Sequence, residues 1–240
     1  MTSVVAVLFP HVAQLDLTGP AQVFAAVDGI KLHLAAASLD PVPTDSGFAI
    51  VPTVTFADAP VADVLMVPGG RGVNAAMLDD EVLGFVRKQA LSAWRVTSVC
   101  TGSLVLGSAG VLTGKRATTH WASLPLLPEF GAQPVAERVV RDGNVVTGAG
   151  VTSGIDLALT LVGDLVGEDA AHRAQLDLEY DPQPPFAVTP TTAPVAWVED
   201  GRAAAREIRL PLVRQAAAEL STPGAGWGSP LGRSTHALES

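Results

Sequence analysis

A chain of 240 residues that is 48% hydrophobic and only 16% charged can build a substantial core, which excludes an intrinsically disordered protein. Its formal net charge of −9, without any run of Lys and Arg, argues against a nucleic-acid partner. A single cysteine leaves no intrachain disulfide, and no apolar run reaches the roughly 18 residues of a membrane helix; the expected setting is the cytoplasm.

Val4 to Phe9 is a short continuous apolar run, as expected of a parallel strand buried on both faces, and is read as a first strand rather than a signal peptide. Leu15-Asp16-Leu17-Thr18-Gly19-Pro20 follows, with Pro20 placed to open a helix that runs to about Val27. Lys31 to Ala37 is a second strand, and Asp45 to Phe56 a small hairpin or sheet-edge excursion. Val64 to Val67 is again a buried strand, ending in Pro68-Gly69-Gly70-Arg71-Gly72. Asp79 to Leu91 is amphipathic, acidic at its start and basic near its end, which suits the helix dipole. Arg95 to Val99 is a strand and Ser103 to Ala109 its helix, closed by Gly110. Val135 to Val140 and Asn144 to Thr147 form a hairpin about Asp142-Gly143. Helices are predicted over Ser153 to Val166, Glu168 to Tyr180 and Val195 to Leu220.

Repeated strand–helix alternation predicts an α/β fold: an open, mostly parallel sheet with helices on both faces. Residues 1–186 form the domain. Residues 187–220 form an arm and terminal helix packed on it or on a partner, and 221–240, rich in Gly, Ser and Pro, are an expected disordered tail. Sheets of this kind bind ligands at the carboxyl ends of their strands. Three segments lie there: Asp16, Gly69-Gly70 and Cys100-Thr101.

Ser98-Val99-Cys100-Thr101-Gly102 places the cysteine between a buried strand and a helix, the logic of a nucleophile elbow with sulfur in place of oxygen. The helix N-terminus is expected to lower the thiol's pKa; a buried structural thiol is the alternative. Gly69 and Gly70 can offer backbone N–H groups to an anion, or simply form a tight turn. Gly70-x-Gly72-x-x-Ala75 matches a dinucleotide fingerprint, but it follows an internal strand and lacks the acidic residue about 20 positions later. Asp16 is read as a solvated loop residue, a helix cap, or a proton carrier beside the sulfur. His120 is a candidate base, a pocket wall, or a structural histidine packed by Trp121. The histidines show no metal-ligand spacing, so no metal is expected.

Leu15 to Pro20, Val67-Pro68-Gly69-Gly70 and Thr97 to Ser103 resemble the ThiJ/PfpI superfamily. Gly114 to Trp121, Glu137 to Asn144 and Thr152 to Asp156 resemble its isonitrile hydratase (isocyanide hydratase) branch, and the resemblance runs from about Val4 to Phe186. Asp16 stands where many superfamily members have Glu, and Thr101 where protease-like and deglycase-like members have His or Ala. Regulators that share the sheet append a helix-turn-helix pair, for which the stretch after Leu220 is too short and too polar. The resemblance implies a flavodoxin-like sheet, a homodimer, no cofactor, and a small-molecule isonitrile as substrate. It implies a Cys100 nucleophile, with Asp16 supplying a proton and a covalent thioimidate that hydrolyses to an N-substituted formamide. Amides of Gly70 and Thr101 would stabilise developing charge, and the Thr101 hydroxyl would orient Asp16 or the substrate. Thiol chemistry on reactive carbonyls, or a redox sensor without turnover, are the other readings of the same cysteine.

Overall fold

A computed structural model describes residues 1–221; the predicted tail beyond Ser221 lies outside the described residues. The first half of the chain runs β1 (Thr2–Val7), α1 (Gln14–Ala25), β2 (Ile30–Ala36), β3 (Val42–Pro43), β4 (Ala49–Ile50), β5 (Val54–Thr55), β6 (Val64–Val67), α2 (Val73–Ala76), α3 (Asp80–Ala90) and β7 (Arg95–Val99). The second half runs α4 (Gly102–Ser108), β8 (Arg116–Ala117), β9 (Gln133–Pro134), β10 (Val139–Asp142), β11 (Val145–Gly148), α5 (Ser153–Leu165), α6 (Glu168–Asp177) and α7 (Val195–Leu220). A 3-10 turn over Leu124–Phe130 precedes β9.

Seven strands form the main sheet in the order β10-β11-β7-β6-β1-β2-β5. Every pairing in it is parallel except the β10–β11 hairpin. The apolar runs lie at its centre: Val4 to Val7 and Val64 to Val67 are fully buried, as strands covered on both faces require. From β1 the chain goes one way to β2 and later returns to place β6 on the other side. Connections therefore diverge between β1 and β6, and the carboxyl ends of such a pair open a crevice.

α1 packs on α5 and α5 on α6, while α4 meets α2, α3 and α7. α7 joins the same core through Val213 and Ala216. One boundary differs from its prediction with a consequence for function: α1 starts at Gln14, not Pro20, so Asp16 sits in its first turn. Pro20 lies inside the helix, where it offers no N–H to the Asp16 carbonyl four residues back. Its ring is seated on Gly154 of α5, where even a Cβ would come within 3.0 Å of it. The predicted 45–56 excursion separates into an antiparallel β3–β4 hairpin and β5, which extends the main sheet beside β2.

Candidate active site

β7 is buried to its last residue, and the chain must then turn sharply into α4. Cys100 makes the turn with φ of +56°, a left-handed conformation that costs a non-glycine residue on the order of 1–3 kcal/mol. Two bonds hold it there. Its amide donates to the Gly148 carbonyl of β11 at 3.1 Å, and its carbonyl accepts from the Thr119 hydroxyl at 2.7 Å. The Ser103 hydroxyl donates to the Thr118 carbonyl at 2.6 Å and lies 2.8 Å from the Ser98 hydroxyl, latching the same segment to the elbow. Gly102 permits close approach, because a Cβ there would lie 2.1 Å from the Val67 carbonyl oxygen.

The β6–β7 register pairs Val67 with Ser98, which brings the turn after β6 alongside the elbow. Gly69 receives the Ala13 N–H on its carbonyl at 2.9 Å and donates its own N–H to Asp16 Oδ2 at 2.8 Å. The first turn of α1 is thereby clasped to the end of β6. Asp16 is fully buried, and its Oδ1 has no hydrogen-bond partner among the described residues. Gly70, at φ of +120°, donates to Thr101 Oγ1 at 3.0 Å, and that hydroxyl returns a bond to the Gly70 carbonyl at 3.3 Å. Both glycine amides thus already have partners. They position Asp16 and Thr101, and the Gly70 amide is not the free donor to a developing charge that the sequence suggested. The Thr101 hydroxyl bonds to Gly70 and acts on the Cys100 thiol, and it makes no hydrogen bond to Asp16.

Burial raises the Asp16 carboxyl to about 7, against opposing pulls from the Gly69 amide and the Cys100 side chain. The Cys100 thiol is pushed up to about 12, first by burial and then by the Asp16 charge; the Thr101 amide and hydroxyl act the other way. This reverses the expected lowering. α4 is only seven residues long, and desolvation of the sulfur together with the neighbouring carboxylate outweighs its N-terminus. The outcome is a coupled acid pair that holds one proton above neutral pH and exchanges a second near it.

Cys100, Thr101 and Gly70 open onto a cavity of about 380 Å3 whose other walls include His120, Trp121 and, from α7, Arg209. His120 shares this cavity, yet its Nδ1 accepts from the Ala122 amide at 3.4 Å and its ring lies tilted 5.4 Å from that of Trp121. Burial, and then the Arg209 charge, lower its pKa. Trp121 in turn packs on Gly201 of α7. The places of Thr119 and Arg209 at the site carry no local signal in the sequence: a threonine that holds a carbonyl and an arginine about 110 positions beyond the nucleophile match no motif.

Residues 2–164 match the DJ-1/PfpI family. Over 218 residues the chain is 54% identical to an isonitrile hydratase of Pseudomonas putida, an alignment covering 89% of this chain and 96% of that one. A ThiJ/PfpI family protein of Pseudomonas syringae, solved by crystallography, superposes with a TM-score of 0.85 at 42% identity over 90% of each chain. DJ-1beta of Drosophila melanogaster superposes at 0.68 with 25% identity, over 75% of this chain and 99% of that one.

Proposed function

This chain belongs to the DJ-1/PfpI family, and on that premise we propose that it is an isonitrile hydratase, converting an isonitrile and water to an N-substituted formamide. The observation that carries the reading is the Asp16 carboxyl: the Gly69 amide tethers one oxygen, the carboxyl is fully buried, and it interacts with the Cys100 side chain. An isonitrile requires both a nucleophile and a proton at one carbon, and this pair supplies both.

As the Cys100 sulfur forms a bond to the terminal carbon, its proton passes to Asp16. Asp16 then delivers a proton to that same carbon, giving a thioimidate, R–N=CH–S–Cys100. Water adds to this carbon as Asp16 takes its proton and passes it to the nitrogen, which becomes an amine-like centre. The C–S bond then breaks as the carbon–oxygen bond becomes a carbonyl, and the hydroxyl proton returns through Asp16 to the sulfur, so that Cys100 leaves as a thiol. Splitting the hydration in this way is covalent catalysis, and the cycle consumes only water. A carboxyl at about 7 suits a group that must both hold and release a proton.

No helix among the described residues is long and apolar enough to cross a membrane. We also assign it a homodimer. Phe186, Val188, Val195 and Trp197 expose apolar surface along the arm and α7 that a second copy would cover; light scattering after gel filtration tests this assignment.

The primary test is turnover of a simple aromatic isonitrile, following formamide formation, by wild type, Cys100→Ala and Asp16→Asn. The expected result is turnover by wild type, abolished by the first substitution and strongly reduced by the second. Absence of turnover by folded, reduced wild-type protein overturns the reading and returns reactive carbonyls and peroxide to consideration.

A further inference from the structure

One wall of the cavity holds a charge for which the hydration cycle has no use. α7 brings Arg209 into the same space as Cys100, Thr101 and His120. Its guanidinium is near enough to both Cys100 and His120 for the charges to interact. The ion pairs among the described residues do not include it. It makes no hydrogen bond to another described residue, and its Nε is shielded from solvent without a partner. Burial lowers its pKa, and the Cys100 charge only partly opposes this, as expected of a cation withdrawn from water.

An unpaired, half-buried guanidinium is costly to hold, and structures compensate by giving it a partner. Among the described residues no carboxylate forms an ion pair with it. Asp45 and Arg71 also line the cavity and carry opposite charges, which leaves Arg209 as the cation there without an ion-pair partner among the described residues. A guanidinium presents a planar fork of N–H donors that matches a carboxylate with two parallel hydrogen bonds. The cavity, at about 380 Å3, is of the size that encloses a small organic molecule.

We propose that Arg209 is a specificity-determining residue that selects isonitriles bearing a carboxylate, gripping the carboxylate while the isonitrile carbon is presented to Cys100. This rests on the isonitrile reading above and adds the class of substrate. An amino-acid-derived isonitrile, in which –N≡C replaces the amine and the carboxylate remains, has both ends within one small molecule.

The test compares isocyanoacetate with its uncharged methyl ester in wild type, Arg209→Met and Arg209→Lys. The readout is the ratio of the two kcat/KM values, which does not depend on how much of a variant is folded. Wild type is expected to prefer the acid by about tenfold or more, with most of the difference in KM. Arg209→Met should bring the ratio to about one or below, and Arg209→Lys, which keeps the charge but not the fork, should retain part of it. High salt should erode the wild-type preference. An Arg209→Met ratio equal to that of wild type, or a wild-type preference for the ester, overturns the proposal while leaving the hydratase reading intact. Hydration of neither compound, nor of a neutral aromatic isonitrile, by wild type removes the hydratase reading and this one with it.

Discussion

The Gly69 amide holds one oxygen of the Asp16 carboxyl at 2.8 Å, while the other oxygen is buried without a hydrogen-bond partner among the described residues. A carboxyl so placed favours its proton, and its pKa of about 7 stands well above the ordinary 3.8. Between those values the folded protein binds a proton that the unfolded chain releases. Stability conferred by protonated Asp16 is therefore complete below about pH 4 and lost as pH rises through about 7. Asp16→Asn keeps an acceptor for Gly69 and removes the titration. It should be more stable than wild type at pH 8, by something on the order of 1–4 kcal/mol, and near parity at pH 4. Melting temperatures across this range decide it; parallel curves for the two proteins would show that Asp16 does not titrate as described.

The same pair predicts the shape of the rate profile. The reactive form carries one proton shared between Asp16 and Cys100, and it appears as the second proton leaves near pH 7. Formamide production should rise with pH through about 7 and then hold level into the alkaline range. In Asp16→Asn that limb should vanish and the rate fall by about 100-fold or more, the usual scale of lost acid–base catalysis. A wild-type profile that is flat from pH 5 to 9 contradicts the assignment.

Thr101 acts through Gly70. Its hydroxyl is the only hydrogen-bond partner of the Gly70 amide among the described residues, and it bonds the carbonyl of that residue as well. Thr101→Val leaves the Gly70 amide unpaired in a partly buried turn, at a cost of about 1–3 kcal/mol, while the Gly70 carbonyl keeps the Val73 amide at 3.4 Å. Because the turn also carries Gly69, the variant should lose kcat through a misplaced Asp16. Thr101→Ser restores the hydroxyl and should restore both stability and rate; denaturant unfolding alongside steady-state kinetics separates rescue from a merely local effect.

Much of this was legible in the chain because the signals are local. Four-residue and longer runs of fully apolar residues mark strands buried on both faces, and Val99-Cys100-Thr101-Gly102 marks the elbow through its strand, its small residue and its helix. What escaped depends on partners distant in sequence. Pro20 reads as a helix opener, yet it lies inside α1 because Gly154, far along the chain, leaves space for its ring. The thiol's titration escaped because proximity to a helix start is visible in sequence, whereas a buried carboxylate 84 positions earlier becomes its neighbour only in the fold. Arg209 lies in a helix whose sequence looks like a solvated surface, and only the docking of α7 brings it to the cavity beside Cys100.

Two glycines in neighbouring helices make the closing test of how tightly the elbow is built. Gly84 lies exposed in α3, with no atom near where a Cβ would go. Gly84→Ala should stabilise the protein by about 0.5–1 kcal/mol, since alanine loses less conformational freedom in a helix. Gly102 has ordinary helical surroundings in sequence, but a Cβ there would meet the carbonyl oxygens of Val67 at 2.1 Å and Pro68 at 2.8 Å. Those are backbone atoms of β6 and the turn that carries Gly69, so they cannot swing aside as a side chain would. Gly102→Ala should cost about 3 kcal/mol, and it should displace the elbow from the Gly69–Asp16 clasp so that activity falls further than stability alone requires. Equal and favourable effects of the two substitutions in thermal unfolding would mean that α4 does not approach β6 as closely as described.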